Sequence, residues 1–251
     1  MSSVEVELAD GIGLVALNRP ERRNAVDPEL VEQLVAALEA VTEAGVGAVV
    51  LHGNGPVFCA GHDLKAPPPD LATLPARLQR IQDVTRRIRA CPAPVIAAVH
   101  GHAVGAGAEF ALGCDLVLAA EGTRFRFPEV GLGLSATGGL SVLLPLLVGP
   151  LKAKELVLFG EPVEAAEAAR LGLVNAVLPA EELLPTARRW AAKLAALPRL
   201  PAAMAKRALD AGAARAVATA LVREVEQAIA IEVSGAGAMA EVLATRARAI
   251  G

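Results

Sequence analysis

Two nearly all-apolar stretches constrain the fold of this chain more than any other feature. Residues 46–52 (VGAVVLH) and 95–100 (VIAAVH) contain no Asp, Glu, Lys or Arg. Such runs are typical of parallel strands that helices cover on both faces. Residues 28–44 and 74–91 precede them and repeat apolar residues at helical spacing. The alternation predicts an α/β fold built from strand–turn–helix units.

Local signals predict further elements on either side of these runs. Asp10-Gly11 separates two β-prone segments, residues 4–8 and 12–18, and is the dipeptide expected in a tight hairpin turn. Asp27 stands as an N-cap ahead of Pro28, which favours a helix start there. The pattern continues with a helix over 105–112, strands over 116–120 and 174–178, and a helix over 151–159.

The chain changes character after the strand at 174–178. Residues 180–250 are rich in alanine and predict helices, broken at Pro198, Pro201 and 235–237. We therefore expect a core over residues 1–178 and a helical C-terminal region over 179–251.

Composition excludes several classes of protein. The 251 residues are 54% hydrophobic and 20% charged with a net charge of −3, which indicates a soluble globular protein instead of a disordered one. That charge offers no field to attract nucleic acid or an anionic membrane, so neither is an expected partner. Tyr is absent, so Tyr cannot act as a catalytic acid.

The cysteines and the N-terminal sequence favour a reducing compartment. Cys59, Cys91 and Cys114 fit neither a disulfide framework nor a paired metal-ligand spacing. The first residues lack the basic and apolar segments of a signal peptide, which makes the cytoplasm the default location. An uncharged run over 130–151 contains seven Gly or Pro among its 22 residues, and we interpret it as buried turn and helix.

Common catalytic motifs do not fit the chain. Phe110 replaces the third glycine of a dinucleotide fingerprint after Gly105-Ala106-Gly107, and no P-loop is present. The segment around Ser135 lacks the final glycine of a nucleophile elbow. His100 and His102 have no nearby residue to complete a metal triad, so we expect structural or pocket-lining roles.

Two glycine-containing segments each join an expected strand to an expected helix. They are residues 58–65 (FCAGHDLK) and 100–109 (HGHAVGAGAE). Small residues let a ligand approach the backbone, and the free N–H groups of a helix's first turn attract negative charge. Side by side, the two turns would hold one oxyanion. Ordinary tight turns required for packing would have the same spacing.

Glu109 and Glu129 both lie among apolar residues. Burial opposes ionisation of a carboxyl group and raises its pKa toward the range useful for proton transfer. A pair of such groups is suited to acid–base catalysis. Alternatively, each glutamate caps a helix or pairs with an arginine.

Together these segments resemble the enoyl-CoA hydratase/isomerase, or crotonase, superfamily. The matching pieces, in family order, are residues 17–20 (LNRP) with Asn24-Ala25, 58–65, 101–109 with Cys114-Asp115, 127–129 (FPE) with Gly133, and 168–174. They span residues 12–178, and only their combination is specific.

The resemblance implies a spiral of repeated β-β-α units, with the C-terminal helices used to form a homotrimer or a hexamer of two trimers. It also implies that the backbone N–H groups of His62 and Ala106 bind the thioester oxygen of an acyl-CoA substrate. Lys65 and Arg23 take positions that contact CoA phosphates, and the backbone around Ala60 lies near the adenine.

The resemblance further implies an activity. Hydratases of the family carry glutamates at the positions of Glu109 and Glu129, which bracket a water: Glu109 deprotonates it and Glu129 delivers a proton. The expected reaction converts a 2-enoyl-CoA into a 3-hydroxyacyl-CoA without a metal or redox cofactor. A double-bond isomerase on the same scaffold is the alternative, and an RNA-binding or non-catalytic role is a third.

Two segments depart from the family pattern. Residues 135–139 (SATGG) replace a Pro-Gly-containing sequence, and 245–248 (TRAR) replace a common Lys/Arg-Pro-Phe ending. These departures affect the wall of the acyl pocket and part of the CoA contact. The proline tract at 67–69 predicts a loop over the mouth of a pocket.

Overall fold

The structure is a computed structural model that describes residues 2–63 and 70–235. Strands in these ranges are β1 (Val4–Ala9), β2 (Ile12–Leu17), β3 (Ala48–Gly53), β4 (Val95–Val99), β5 (His102–Val104), β6 (Leu116–Ala120), β7 (Arg124–Arg126), β8 (Val163–Glu164) and β9 (Ala176–Leu178). Helices are α1 (Pro28–Glu43), α2 (Leu74–Ala90), α3 (Ala106–Gly113), α4 (Leu140–Val148), α5 (Pro150–Phe159), α6 (Ala165–Leu171), α7 (Ala180–Ala195) and α8 (Arg199–Val233). Two 3-10 turns cover Pro20–Arg22 and Val130–Leu132.

The larger sheet has the strand order β1-β2-β3-β4-β6-β9. Its strands pair in parallel from β2 onward, and only β1 runs antiparallel to its neighbour. Alternate residues of β3 face opposite sides: Val49 and Leu51 join the core under α1 and α2, while Ala48 and Val50 pack with α7. The predicted burial of these strands on both faces is confirmed.

Short-range signals correctly placed the first hairpin and the first helix. β1 and β2 pair from Val4 with Leu17 to Ala9 with Ile12, so Asp10-Gly11 makes the connection. Both turn residues have positive φ, as a two-residue hairpin turn requires. The Asp27 side chain accepts a hydrogen bond of 2.8 Å from the backbone N–H of Leu30 and caps α1.

A smaller sheet of order β5-β7-β8 produces the β-β-α repeat. The chain leaves β4 in the large sheet and enters β5 in the small one, then leaves β6 and enters β7. β5 and β7 pair in parallel. β5 leads directly into α3, which brings the second glycine turn to the junction of the two sheets.

The C-terminal helices follow the predicted boundary in sequence. β9 ends at Leu178 and α7 begins at Ala180. α7 packs Leu183, Ala187 and Ala191 directly on the large sheet. The division of the chain into a core and a trimerisation region stays a prediction. No helix in the described part of the chain is long and apolar enough to cross a membrane.

Two expectations about the helices are wrong. Pro201 does not break a helix, since it lies in the first turn of α8, where its missing N–H has no intrahelical partner to lose. The uncharged run over 130–151 is only partly buried. α4 packs Leu140 and Leu144 inward, whereas Leu146 and Leu151 are 63% and 81% exposed, because only one face of each surface helix meets the core.

Candidate active site

The two predicted turns lie against each other, backbone to backbone. Cys59 donates from its N–H to the carbonyl of His102, and Val104 donates to the carbonyl of Cys59, each at 3.0 Å. Gly61 has φ of +82°, and a Cβ on it would lie 2.6 Å from the Val104 carbonyl oxygen. No side chain fits between the turns at this position, which is the physical reason for the glycine.

Two N–H groups where the turns meet have no acceptor in the part of the chain that the structure describes. Among residues 2–63 and 70–235, neither the N–H of His62 nor that of Ala106 donates a hydrogen bond. Ala106 is the first residue of α3, where backbone N–H groups lack intrahelical acceptors. The junction therefore offers two backbone donors from two adjacent turns.

Glu109 lies on α3 and is 2% exposed, as its sequence context predicted. Its Oε1 accepts a hydrogen bond of 2.7 Å from the N–H of Thr137. Its Oε2 accepts one of 2.5 Å from the Thr137 hydroxyl. Each carboxylate oxygen therefore has a donor supplied by the same residue.

Glu129 lies against the second turn, beside Gly105. It precedes the 3-10 turn Val130–Leu132 and is 5% exposed. Its Oε2 is buried and has no hydrogen-bond partner among the described residues. Its Oε1 would lie 2.9 Å from a Cβ on Gly105, so only glycine leaves room for the carboxyl group beside the turn.

Both carboxyl groups hold their protons more strongly than a glutamate in water. Burial raises the pKa of Glu109, and the nearby charges of Glu129 and Glu224 raise it further, against the hydrogen bonds from Thr137. Burial also raises the pKa of Glu129. Two interacting groups of this kind titrate as a pair and are suited to exchanging protons near neutral pH.

The imidazole of His62 is uncharged at neutral pH. Removal from water lowers the pKa of His62 to about 4, and the positive charge of Arg77 acts in the same direction. A neutral ring beside the turn adds no positive charge, so any anion bound there depends on backbone donors.

The structure brings together two of the three residues expected to contact CoA. Ala60 donates from its N–H to the Arg23 carbonyl at 3.1 Å, and Arg23 is exposed. The buried Asn24 side chain braces this contact, since its amide nitrogen donates to the carbonyls of Val57 and Phe58 at 2.9 and 3.1 Å. Lys65 and the proline tract at 67–69 lie outside the described residues, as do residues 245–248.

Sequence reasoning missed three residues that support the site. Thr137 contacts Glu109 directly, while Gln82 on α2 and Glu224 on α8 bind the next residues of the same loop. Gln82 and Glu224 were detectable because each interrupts the apolar face of its helix. Leu78 and Ile81 are buried around Gln82, and Leu221 and Val225 around Glu224.

The fold and the paired turns define the class of protein, a crotonase-fold enzyme. An enoyl-CoA hydratase from Mycobacterium avium subsp. paratuberculosis superposes with a TM-score of 0.88 at 30% identity, over 99% of this chain and 97% of that one. A monofunctional enoyl-CoA isomerase from M. smegmatis superposes with a TM-score of 0.71 at 32% identity, over 84% of this chain and 94% of that one.

Sequence comparison gives the family. The model of the enoyl-CoA hydratase/isomerase family matches residues 7–233. A 2,3-dehydroadipyl-CoA hydratase from Escherichia coli (strain K12) is 40% identical over 212 residues, which cover 83% of this chain and 82% of that protein. The chain belongs to the enoyl-CoA hydratase/isomerase family, as the sequence motifs implied.

Proposed function

We propose that this protein is an enoyl-CoA hydratase, which adds water across the 2,3 double bond of a 2-enoyl-CoA thioester. One observation carries the proposal: two buried carboxyl groups, Glu109 and Glu129, lie beside two backbone N–H groups that have no acceptor among the described residues. The E. coli relative, which is named a hydratase, supports the same activity.

The hydrogen bonds support a division of roles between the glutamates. Both oxygens of Glu109 accept hydrogen bonds, which favours its ionised form and suits a general base. Oε2 of Glu129 accepts none from the described residues, which suits a protonated acid. Glu109 takes a proton from water as the oxygen bonds to C3, and Glu129 gives its proton to C2.

The two N–H groups stabilise the charge that forms during this addition. As water attacks C3, electrons move to the thioester oxygen and form an enolate. The N–H groups of His62 and Ala106 donate to that oxygen, and fixed donors of this kind stabilise the transition state more than the ground state. The electrons then return to C2 as it takes the proton. The net change is addition of H and OH, so the reaction consumes no redox equivalent.

The rest of the substrate lies along the first turn. In this proposal the backbone around Ala60 lies near the adenine of CoA, and Arg23 and Lys65 contact its phosphates. The exposed side chain of Arg23 next to Ala60 is consistent with that arrangement.

We propose a homotrimer, or a hexamer of two trimers, as the assembly. Large apolar side chains are exposed on α5 and α8, including Leu151 at 81% and Phe159 at 74% on α5 and Leu209 at 85% on α8. Exposed apolar surface of this kind marks contacts with other chains. The free thiols of Cys59, Cys91 and Cys114 support a cytoplasmic location.

A direct assay tests the reaction and the substrate class together. The protein is incubated with short, medium and aromatic 2-enoyl-CoA esters, and the loss of absorbance from the conjugated thioester is followed. We expect loss of absorbance with at least one ester and a 3-hydroxyacyl-CoA product. Salt-dependent RNA binding without any thioester turnover would overturn the proposal.

An isomerase is the second candidate, since the M. smegmatis isomerase shares the fold. An isomerase moves a proton between carbons and adds no oxygen. Turnover in water labelled with ¹⁸O separates the two reactions. We expect the label at C3 of the product, and isomerised product without label as the only product would refute hydration.

A further inference from the structure

The Thr137 hydroxyl stands in direct contact with the carboxyl group of Glu109. Thr137 is buried, and its hydroxyl donates to Oε2 of Glu109 at 2.5 Å. The described residues give this hydroxyl no other hydrogen-bond partner. The backbone N–H of the same residue donates to the other oxygen, Oε1. Among the described residues, the hydroxyl therefore bonds only to the carboxyl group that we assign as the base.

The loop that carries Thr137 is held by buried polar side chains from two other helices. The N–H of Gly138 donates to Oε1 of Gln82 at 2.7 Å, and the Thr85 hydroxyl donates to the Gly138 carbonyl at 3.1 Å. The N–H of Gly139 donates to Oε2 of Glu224 at 2.8 Å. These bonds define where the Thr137 hydroxyl lies.

The loop also approaches Glu109 too closely for a larger residue. Gly138 has φ of +65°, and a Cβ on it would lie 2.8 Å from the Cβ of Glu109. Only glycine at this position therefore lets the loop backbone lie this close to Glu109. The close approach of Gly138 keeps the adjacent Thr137 next to the carboxyl group of Glu109.

We propose that Thr137 is a positioning residue for the hydration reaction, whose hydroxyl holds the carboxyl group of Glu109 in the orientation in which it meets the water. The inference rests on the proposed function. It assigns a role to the hydroxyl itself, separate from that of the backbone N–H, which any residue at this position except proline would supply.

The hydroxyl acts against the acidic surroundings of Glu109. The described charged groups that act on Glu109 are Glu129, which precedes the 3-10 turn, and Glu224, from α8, and both favour the protonated form. Burial acts in the same direction. The donors that favour the ionised form are the N–H and hydroxyl of Thr137. Removing one of two donors therefore moves the titration of Glu109 to higher pH.

The test compares Thr137→Val, which keeps the shape and removes the hydroxyl, with Thr137→Ser, which keeps the hydroxyl. The dependence of kcat/KM on pH is measured with crotonyl-CoA. We expect the acidic limb of the profile to move up by about 1 to 2 pH units in Thr137→Val, the value of one hydrogen bond to a charged acceptor. Thr137→Ser should follow the wild type.

A matched control separates this role from a structural one. Thr123 is also buried, and its hydroxyl donates to the carbonyl of Val99 in the sheet. Thr123→Val should lower the melting temperature without moving the acidic limb. If Thr137→Val fails to fold, Thr137→Ala gives the same comparison without the branched side chain. The proposal would be overturned if the folded Thr137 variant had a lower maximal kcat/KM but an acidic limb at the same pH as the wild type.

A second measurement does not depend on turnover. Infrared difference spectra recorded against pH follow the protonated carboxyl band, which is assigned to Glu109 by its loss in Glu109→Gln. We expect the band to titrate at higher pH in Thr137→Val than in the wild type, and an unchanged titration would overturn the proposal. If Thr137→Val and the wild type differ in this way but the wild type hydrates no enoyl-CoA, the proposed function is refuted and the role of Thr137 toward Glu109 is not.

Discussion

Replacing Glu129 with glutamine tests the proposed acid through two quantities that should change in opposite directions. The substitution keeps the shape of the side chain and removes its proton. Because Oε2 of Glu129 has no hydrogen-bond partner among the described residues, the change breaks no bond at that atom. A loss of activity would then reflect lost chemistry more than a disturbed structure.

The expected loss of activity follows from the role of the group. A positioned proton-transfer residue contributes about 10²–10⁴ to the rate. This corresponds to about 2.7–5.4 kcal/mol in the activation free energy. We expect kcat for crotonyl-CoA to fall by at least roughly 10²-fold, with KM little changed because the substitution is remote from the CoA moiety.

The expected change in stability has the opposite sign. Burial raises the pKa of Glu129 in the folded protein, so the unfolded chain loses this proton at lower pH than the folded one. Wild-type stability therefore falls as the pH rises from the ordinary pKa to the raised one, by about 1.4 kcal/mol for each unit of the shift. Glutamine has no proton to lose. The variant should gain stability relative to the wild type as the pH rises through this window.

Urea unfolding at several pH values, together with steady-state kinetics, measures both effects. Glu121→Gln is the matched control, since Glu121 is exposed in the turn between β6 and β7. We expect that control to match the wild type in both assays. Near wild-type turnover by Glu129→Gln would refute its role as the acid. A stability difference that does not vary with pH would refute the argument from burial.

The remaining predictions concern the backbone donors, the CoA contact and the assembly. Ala106→Pro removes one N–H and should lower kcat by about 10²–10³, whereas His62→Ala keeps its N–H and should retain most activity; normal turnover by a folded Ala106→Pro, or a folded but inactive His62→Ala, would contradict the assignment. Lys65→Ala should raise KM for acyl-CoA more than it lowers kcat, and an equal loss with an acyl-pantetheine thioester would indicate a different role. The double variant Leu151→Glu with Phe159→Glu should dissociate the assembly in light scattering, and an unchanged mass would place the interface elsewhere.

Circular dichroism and mass measurements are needed to interpret the Ala106→Pro and His62→Ala variants. Proline is tolerated in the first turn of a helix, where Ala106 lies. Ala106 is nevertheless 2% exposed, so the added ring carbons must fit into a packed site. The kinetic result counts only for a protein that retains its wild-type spectrum and mass.

Local sequence determined the main elements because the signals that specify them are local. A run of apolar residues over 46–52 requires cover on both faces, and β3 has it. Asp27 and Pro28 together specify a helix start, and α1 begins there. The burial of Glu109 and Glu129 also followed from their neighbours in sequence, since apolar residues surround both.

Tertiary structure alone decided how the carboxyl groups are held. Thr137 forms a hydrogen bond with Glu109, which is 28 residues away in sequence, and Gln82 forms one with Glu224, which is 142 residues away. No local pattern encodes such pairs, because they depend on where the two sheets and α8 place their side chains. The exposure of Leu146 and Leu151 was likewise decided by packing. An apolar helix has the same sequence whether its outer face meets the core, solvent or another chain, and only the arrangement of neighbouring elements distinguishes these cases.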